Sequence, residues 1–240
     1  MKINIVNIDK TEDYREGCKD TLFVTSNRKV ADHLTSKGEA VCICVCDEEQ
    51  LPAFEGYKYF ITEGVQDIGH MEMVYCHTMN IPYVIAESED LMIREETLED
   101  LAKIYELYED EDCKRFLEPL PKIPDDPSQD ENTLTAASRF ESVKNSYMFN
   151  GYGMWIIERK SDGAFLGRAG FEYVDDDTVS IGFAIVKNER KKGYAYAACL
   201  LCIDYLKDVR PELKVIAKCD PLNFASKALI EKLSLPLSTC

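Results

Sequence analysis

Apolar residues in this chain come in short blocks separated by polar turns. Leu22-Phe23-Val24-Thr25 is one such block, ending at Ser26 and Asn27, whose side chains suit the cap of a helix. Val30, Ala31 and Leu34 follow at helical spacing, and Gly38 supplies a stop. Ala40-Val41-Cys42-Ile43-Cys44-Val45-Cys46 is apolar on both faces, the pattern of a strand buried on both sides of a parallel sheet. Residues 59–62 and 83–86 read as two further strands, with a helix over 68–79 closed by Asn80 and Pro82. Strands alternating with helices predict a small doubly wound α/β unit over residues 1–88.

A second start follows over residues 89–240. Residues 91–95 read as a strand, and Thr97 caps a helix over 98–109 with Asp100 at the capping-box position. Leu101, Ile104, Tyr105 and Tyr108 form its apolar stripe. Residues 118–132 are rich in Pro, Asp and Ser and read as a loop, followed by a helix over 133–149 that stops near Gly151 and Gly153. Three β-like stretches, 154–159, 165–173 and 178–186, are joined by short turns that imply antiparallel hairpins. A helix over 194–209, a strand over 213–218 and a helix over 223–233 complete a mixed β-sheet flanked by helices. No internal repeat is present.

Composition narrows the class. Of 240 residues, 45% are hydrophobic and 30% charged, as in a globular protein. The net charge of −16 disfavours nucleic acid and anionic lipid as partners. Both halves share it, with 8 basic against 17 acidic residues up to Asp90 and 20 against 27 beyond. No apolar run approaches the roughly 18 residues of a membrane span, and the N-terminus lacks the pattern of a signal peptide. A cytoplasmic location is the expectation, with the ten cysteines as reduced thiols. Cys42, Cys44 and Cys46, and Cys199 and Cys202, lack paired zinc spacing and read as buried small hydrophobes. His33, His70 and His77 are not paired with a nucleophile, so no metal is expected.

The candidate chemistry lies at Ile185-Val186-Lys187-Asn188-Glu189-Arg190-Lys191-Lys192-Gly193-Tyr194-Ala195. Four of the six residues from Lys187 to Lys192 are basic in an otherwise acidic chain. They stand where an apolar strand gives way to a helix opened by the small Gly193 and Ala195. Unpaired amides at a helix N-terminus, the positive end of its dipole and a basic loop together make an anion seat. The bland alternative is a strand-to-helix turn with solvated lysines. Neither the phosphate-loop spacing nor the dinucleotide glycine fingerprint is present.

Arg190-Lys191-Lys192-Gly193-Tyr194-Ala195 resembles the Arg/Gln-x-x-Gly-x-Gly/Ala loop of the GNAT superfamily of N-acetyltransferases. Asn223-Phe224-Ala225-Ser226, followed by Leu229, Glu231, Lys232 and Leu233, is similar to the Asn-x-x-Ser segment of its ribosomal-protein-acetyltransferase branch. The opening strand and helix at 91–101 match as well, and the likeness spans about residues 90–233. The resemblance implies acetyl-CoA as donor. Its pyrophosphate would lie on the loop from Arg190 through Lys192, Gly193 and Tyr194, against the amides of Lys191, Gly193 and Ala195, with Arg190 helping. The pantetheine arm would run beside Ile185 and Val186 and meet Asn223. An acceptor amine would lose a proton and attack the thioester directly.

Three departures qualify this. The family pattern has a strand glutamate that relays the amine proton, where this chain has Ser180. It has a thiol-protonating tyrosine seven residues after the asparagine, where this chain has Ile230. Ser226 is left as candidate acid, against a plain helix first-turn serine, and Glu172 as substitute base, against a surface carboxylate. After Leu233 the sequence lacks the family's closing hairpin, leaving a sheet edge to be covered by a partner or by the first domain, and a homodimer is one arrangement that does so.

The first segment faintly resembles the second motif of haloacid-dehalogenase-like phosphatases at residues 22–27. The Asp-x-Asp pair is absent, which implies a non-catalytic Rossmann-like module of unknown role. The reading is therefore an acetyl-CoA-dependent N-acetyltransferase acting on a small-molecule amine or a protein N-terminus, with residues 118–131 a place for acceptor selection. The alternative from another class is a GNAT-like acyl-CoA sensor or scaffold without turnover.

Overall fold

The computed structural model describes residues 3–46, 48–62, 68–121 and 135–238. They form two compact units, Met1–Tyr83 and Val84–Cys240. Most of the segment read as the acceptor loop falls outside the described residues.

The first unit is a four-stranded parallel sheet in chain order: β1 (Asn4–Asn7), β2 (Thr21–Thr25), β3 (Ala40–Val45) and β4 (Phe60–Thr62). Between β2 and β3 lies α1 (Arg28–Ser36), and α2 (Ile68–Thr78) follows β4. As the sequence predicts, Asn27 caps α1, its Oδ1 accepting from the amides of Lys29 and Val30 at 3.0 and 3.4 Å. Val30, Ala31 and Leu34 of α1 pack with Val41, Ile43 and Val45 of β3. Ala40 and Cys42, on the alternate face, are also buried, which accounts for the unbroken apolar run. Cys46 at the strand end is exposed, contrary to its reading as a buried thiol. Strand β1 is invisible to the apolar pattern because it is an edge strand with mostly exposed residues.

The second unit is a seven-stranded mixed sheet. Its strands are β5 (Val84–Glu87), β6 (Leu91–Arg94), β7 (Met154–Arg159), β8 (Ala164–Asp175), β9 (Thr178–Ile185), β10 (Lys214–Lys218) and β11 (Leu237–Ser238). They lie in the order β11-β10-β9-β8-β7-β6-β5, antiparallel from β5 to β9 and parallel from β9 to β11. Strand β5, read from sequence as the end of the first segment, is thus the edge of the second sheet. A short apolar strand carries no mark of which neighbour it will pair with. Helices α3 (Leu101–Glu109), α4 (Glu111–Phe116) and α5 (Ala136–Asn150) lie between β6 and β7; α6 (Tyr194–Val209) joins β9 to β10, and α7 (Phe224–Leu233) joins β10 to β11.

One core unites Trp155, Phe171, Val179 and Ile181 of the sheet with Ala198, Cys199, Cys202 and Leu206 of α6 and Ile230 of α7. Burial pushes the Cys199 thiol up to about 12, so it acts as a small hydrophobe. On the opposite face Ala184 of β9 packs with Leu107 of α3 and Cys113 of α4. Gly170 of β8 is needed there sterically, since a Cβ would sit on the Gly153 carbonyl. Among the described residues no helix is long and apolar enough to cross a membrane.

Buried charge sets the entry to α3. Asp100, 2% exposed, takes two bonds from the Arg94 guanidinium at 2.7 and 3.0 Å and one from the Thr97 amide at 2.9 Å. This is the predicted capping box, although the first turn, Leu98–Asp100, is a 3-10 turn. Arg94 also binds Glu158 at 2.8 Å. Burial works to raise the Asp100 carboxyl, but Arg94 and Thr97 outweigh it and hold it below the usual range.

A carboxyl held low stabilises the fold above the ordinary aspartate value of about 4 and loses that contribution as pH falls through its lowered value. Asp100→Asn should therefore cost roughly 3 kcal/mol at neutral pH, with the gap to the parent closing below about pH 4, as read by urea unfolding across pH. Ser234, which ends α7, holds the left-handed conformation at φ 56° that favours glycine. Ser234→Gly should raise stability by about 1 kcal/mol, seen as a higher unfolding midpoint.

Candidate functional site

Strand β9 is paired along its length with β8, but its ladder with β10 runs only from Thr178↔Lys214 to Ile181↔Ala217. On its other edge β10 pairs with β11, Ala217 lying opposite Leu237. Gly182, Phe183, Ala184 and Ile185 therefore have no strand paired on that side among the described residues, the Ile185 carbonyl being taken by Arg190. Such an edge is a template for an added extended chain. The wedge leads down β9 to Val186, a 3-10 turn at Lys187–Glu189, and the start of α6.

The loop between these elements turns on two left-handed residues, Lys191 at φ 63° and Gly193 at φ 90°. Kinks of that hand aim successive amides to one side and make anion-binding concavities. Gly193 is the N-cap of α6 and supplies no side chain to its first-turn amides. A Cβ on Gly193 would meet no atom within 4 Å, so open space faces the turn. Tyr194 and Ala195 begin the helix, half-buried, while Lys191 and Lys192 are exposed.

The loop's charges are not all free. Lys192 binds Glu189 at 2.9 Å, and Glu189 also meets Arg159 at 3.1 Å. The Lys192 bond holds the Glu189 carboxyl below its usual range. Arg190 donates from Nε to the Ile185 carbonyl at 2.9 Å and pairs with Asp112 at 2.7 Å and Asp110 at 2.6 Å. Its side chain is thus committed to protein groups. Lys187 and Lys191 form no ion pair among the described residues.

Asn223 is the N-cap of α7, its Oδ1 accepting from the Ser226 amide at 3.1 Å. Ser226 is half-buried in the first turn of that helix, one turn before the core residue Ile230, and its hydroxyl makes no hydrogen bond among the described residues. Glu172 is exposed on β8, directly across from the buried Ser180. Its neighbour Phe171 faces α6, so by strand alternation Glu172 lies on the opposite face. The structure brings Ile185, Val186, Arg190, Lys191, Lys192, Gly193, Tyr194 and Ala195 into one continuous turn. It puts Ser226 with the α6–α7 layer and Glu172 across the sheet, with the β9–β10 wedge between the two faces.

Sequence reasoning missed Asp110 and Asp112 at the junction of α3 and α4, and the buried Glu96, which bridges Arg139 and Arg168. A cluster of carboxylates in an acidic chain carries no signal of which one will meet an arginine. Among the described residues no group of three or more His, Cys, Asp or Glu is arranged to hold a metal ion.

Residues 90–235 match the acetyltransferase (GNAT) domain family. Two proteins of Bacillus subtilis (strain 168) are similar over part of the chain. The uncharacterized protein YkkB is 37% identical over 93 residues, covering 37% of this chain and 54% of its own. The uncharacterized N-acetyltransferase YjdG is 32% identical over 98 residues, covering 40% of this chain and 58% of its own. The matched region thus spans little more than half the length of these curated relatives. Among solved structures, a GNAT-family acetyltransferase from Bacillus anthracis is 23% identical with a TM-score of 0.47, covering 62% of this chain and 81% of that one.

Proposed function

The chain belongs to the GNAT acetyltransferase family, and from that premise we propose that it moves the acetyl group of acetyl-CoA to a primary amine by direct attack. The observation that carries this reading is the continuity of the unpaired β9 edge with the uncapped start of α6. An extended, amide-bearing arm ending in a diphosphate fits that sequence of sites: a strand edge first, then a cluster of free amides beside exposed lysines. Acetyl-CoA supplies an activated acetyl thioester.

The chain's own groups take the following roles. The open β9 edge that begins at Gly182 and ends at the Ile185 amide, just before Val186, receives the pantetheine amides, with Asn223 on the other side of the wedge. The amides of Lys191, Gly193 and Ala195 hold the diphosphate, and Lys191 and Lys192 lend positive charge; Tyr194 opens the helix whose dipole adds to the seat. Glu172 takes one proton from the incoming ammonium; as the C–N bond forms and the C–S bond breaks, the nitrogen gives up a second, which the Ser226 hydroxyl relays to the departing sulfur and so ends unchanged. The acceptor is a small-molecule amine, such as a polyamine, an amino sugar or an antibiotic amine, or a protein N-terminal amine. The first unit, up to Tyr83, is a separate Rossmann-like domain that binds a small ligand, and the protein works in the cytoplasm.

Gly193→Val should weaken coenzyme A binding about tenfold or more, because valine is strained at φ 90° and fills the open space before the amides. Lys214→Ala, an exposed position at the start of β10, should leave affinity within about twofold of the parent. Equal binding by both variants and the parent in calorimetric titration overturns the seat. Glu172→Gln should lower kcat by about a hundredfold at saturating substrates in a thiol-release assay over an amine panel. Saturable coenzyme binding without thiol release on any amine overturns the transfer itself.

A further inference from the structure

We infer that Arg190 acts as a positioning residue, tying the donor seat to the junction of α3 and α4 through Asp110 and Asp112. This rests on the reading above, in which the amides of residues 191–195 hold the diphosphate. Asp110 is the single residue joining the two helices, and its carboxylate caps α4 while binding Arg190 Nη2 at 2.6 Å. Arg190 Nη1 binds Asp112 at 2.7 Å, Nη2 also approaches the Cys113 sulfur at 3.7 Å, and Nε holds the Ile185 carbonyl at 2.9 Å. Three of these partners come from the helix junction and the fourth is the last residue of the unpaired β9 edge. The same junction is sealed by Leu107 and Cys113 against Ala184, with Val186 beside them.

Charge argues in the same direction. A guanidinium between two carboxylates belongs to a cluster of net negative charge, which is a poor direct ligand for phosphate. The planar fork that carries these bonds instead fixes the end of β9 and the residue before the left-handed Lys191. The amides that follow are then held in place by carboxylates that touch no ligand. Arg190 in turn holds the Asp110 carboxyl below its usual range.

The sign of one substitution separates this from simple electrostatics. Removing a carboxylate near an anion site tightens binding if only field matters. Removing a brace loosens it. Asn at position 110 keeps the helix cap while discharging the pair, so α4 is retained. In titrations of the full chain with coenzyme A, Asp110→Asn should weaken binding about fivefold or more. Arg190→Ala should weaken it at least as much, and the double variant no further than Arg190→Ala alone, within about twofold. The exposed Asp112→Asn, which leaves the cap untouched, should shift affinity in the same direction by a smaller factor. In the transfer assay the KM for acetyl-CoA should rise in Asp110→Asn while kcat stays within about twofold of the parent.

Affinity equal to or tighter than the parent's in Asp110→Asn and Asp112→Asn overturns the inference, as does full additivity with Arg190→Ala. A parent that binds coenzyme A with indifferent variants sinks the brace alone. A parent that fails to bind coenzyme A removes the donor seat, and the brace with it.

Discussion

The pairing of β9 with β10 stops at Ile181 and Ala217, and the geometry of the candidate site depends on that stop. Backbone N–H and C=O groups on a strand demand partners, and a sheet that leaves four residues open on one side exposes a row of them. The opening lies between β9 and β10 alone: β9 stays paired with β8 on its far edge along its whole length, and β10 carries β11 on its own far edge. Had β10 continued in register, the turn at Gly193 would still stand at a helix start. It would then face a closed sheet.

The two sides of the sheet are held by different physics. Toward α6 and α7 the contacts are apolar, with Trp155 edge-on to both Phe171 and Tyr205. Toward the helices between β6 and β7, buried ion pairs do much of the fixing: Arg94 with Asp100 and Glu158, Glu96 with Arg139 and Arg168. Buried pairs of this kind add little net stability over an apolar core, but breaking one leaves an uncompensated charge, so they enforce one arrangement. Arg190, Asp110 and Asp112 extend the same device to the end of β9. An acidic chain thus spends carboxylates on orienting arginines, while the proposed anion seat is left to main-chain amides and exposed lysines.

Much of this was legible in the sequence. Short-range chemistry is written plainly there: Asn27 and Thr97 as caps, Gly193 at the opening of α6, and the apolar runs of β3, β7, β8 and β9. Each depends on residues within one turn or one strand of each other. Helix α4 escaped because six residues with Cys113 as the one buried side chain show no periodicity. The apolar run of β5 marks a strand but not its sheet, since pairing is a long-range choice.

The sequence by itself determined the elements, their caps and the local turn that gathers the loop from Ile185 to Ala195. Those follow from side-chain patterning and backbone conformational preference, which act over a few residues. Only the tertiary structure decided where β9 loses its partner, which face Glu172 and Ser226 each occupy, and that Arg190 answers to carboxylates some eighty positions away. Pair choice among many like charges, and the end of a ladder between strands joined by a helix, are settled by packing of the whole sheet.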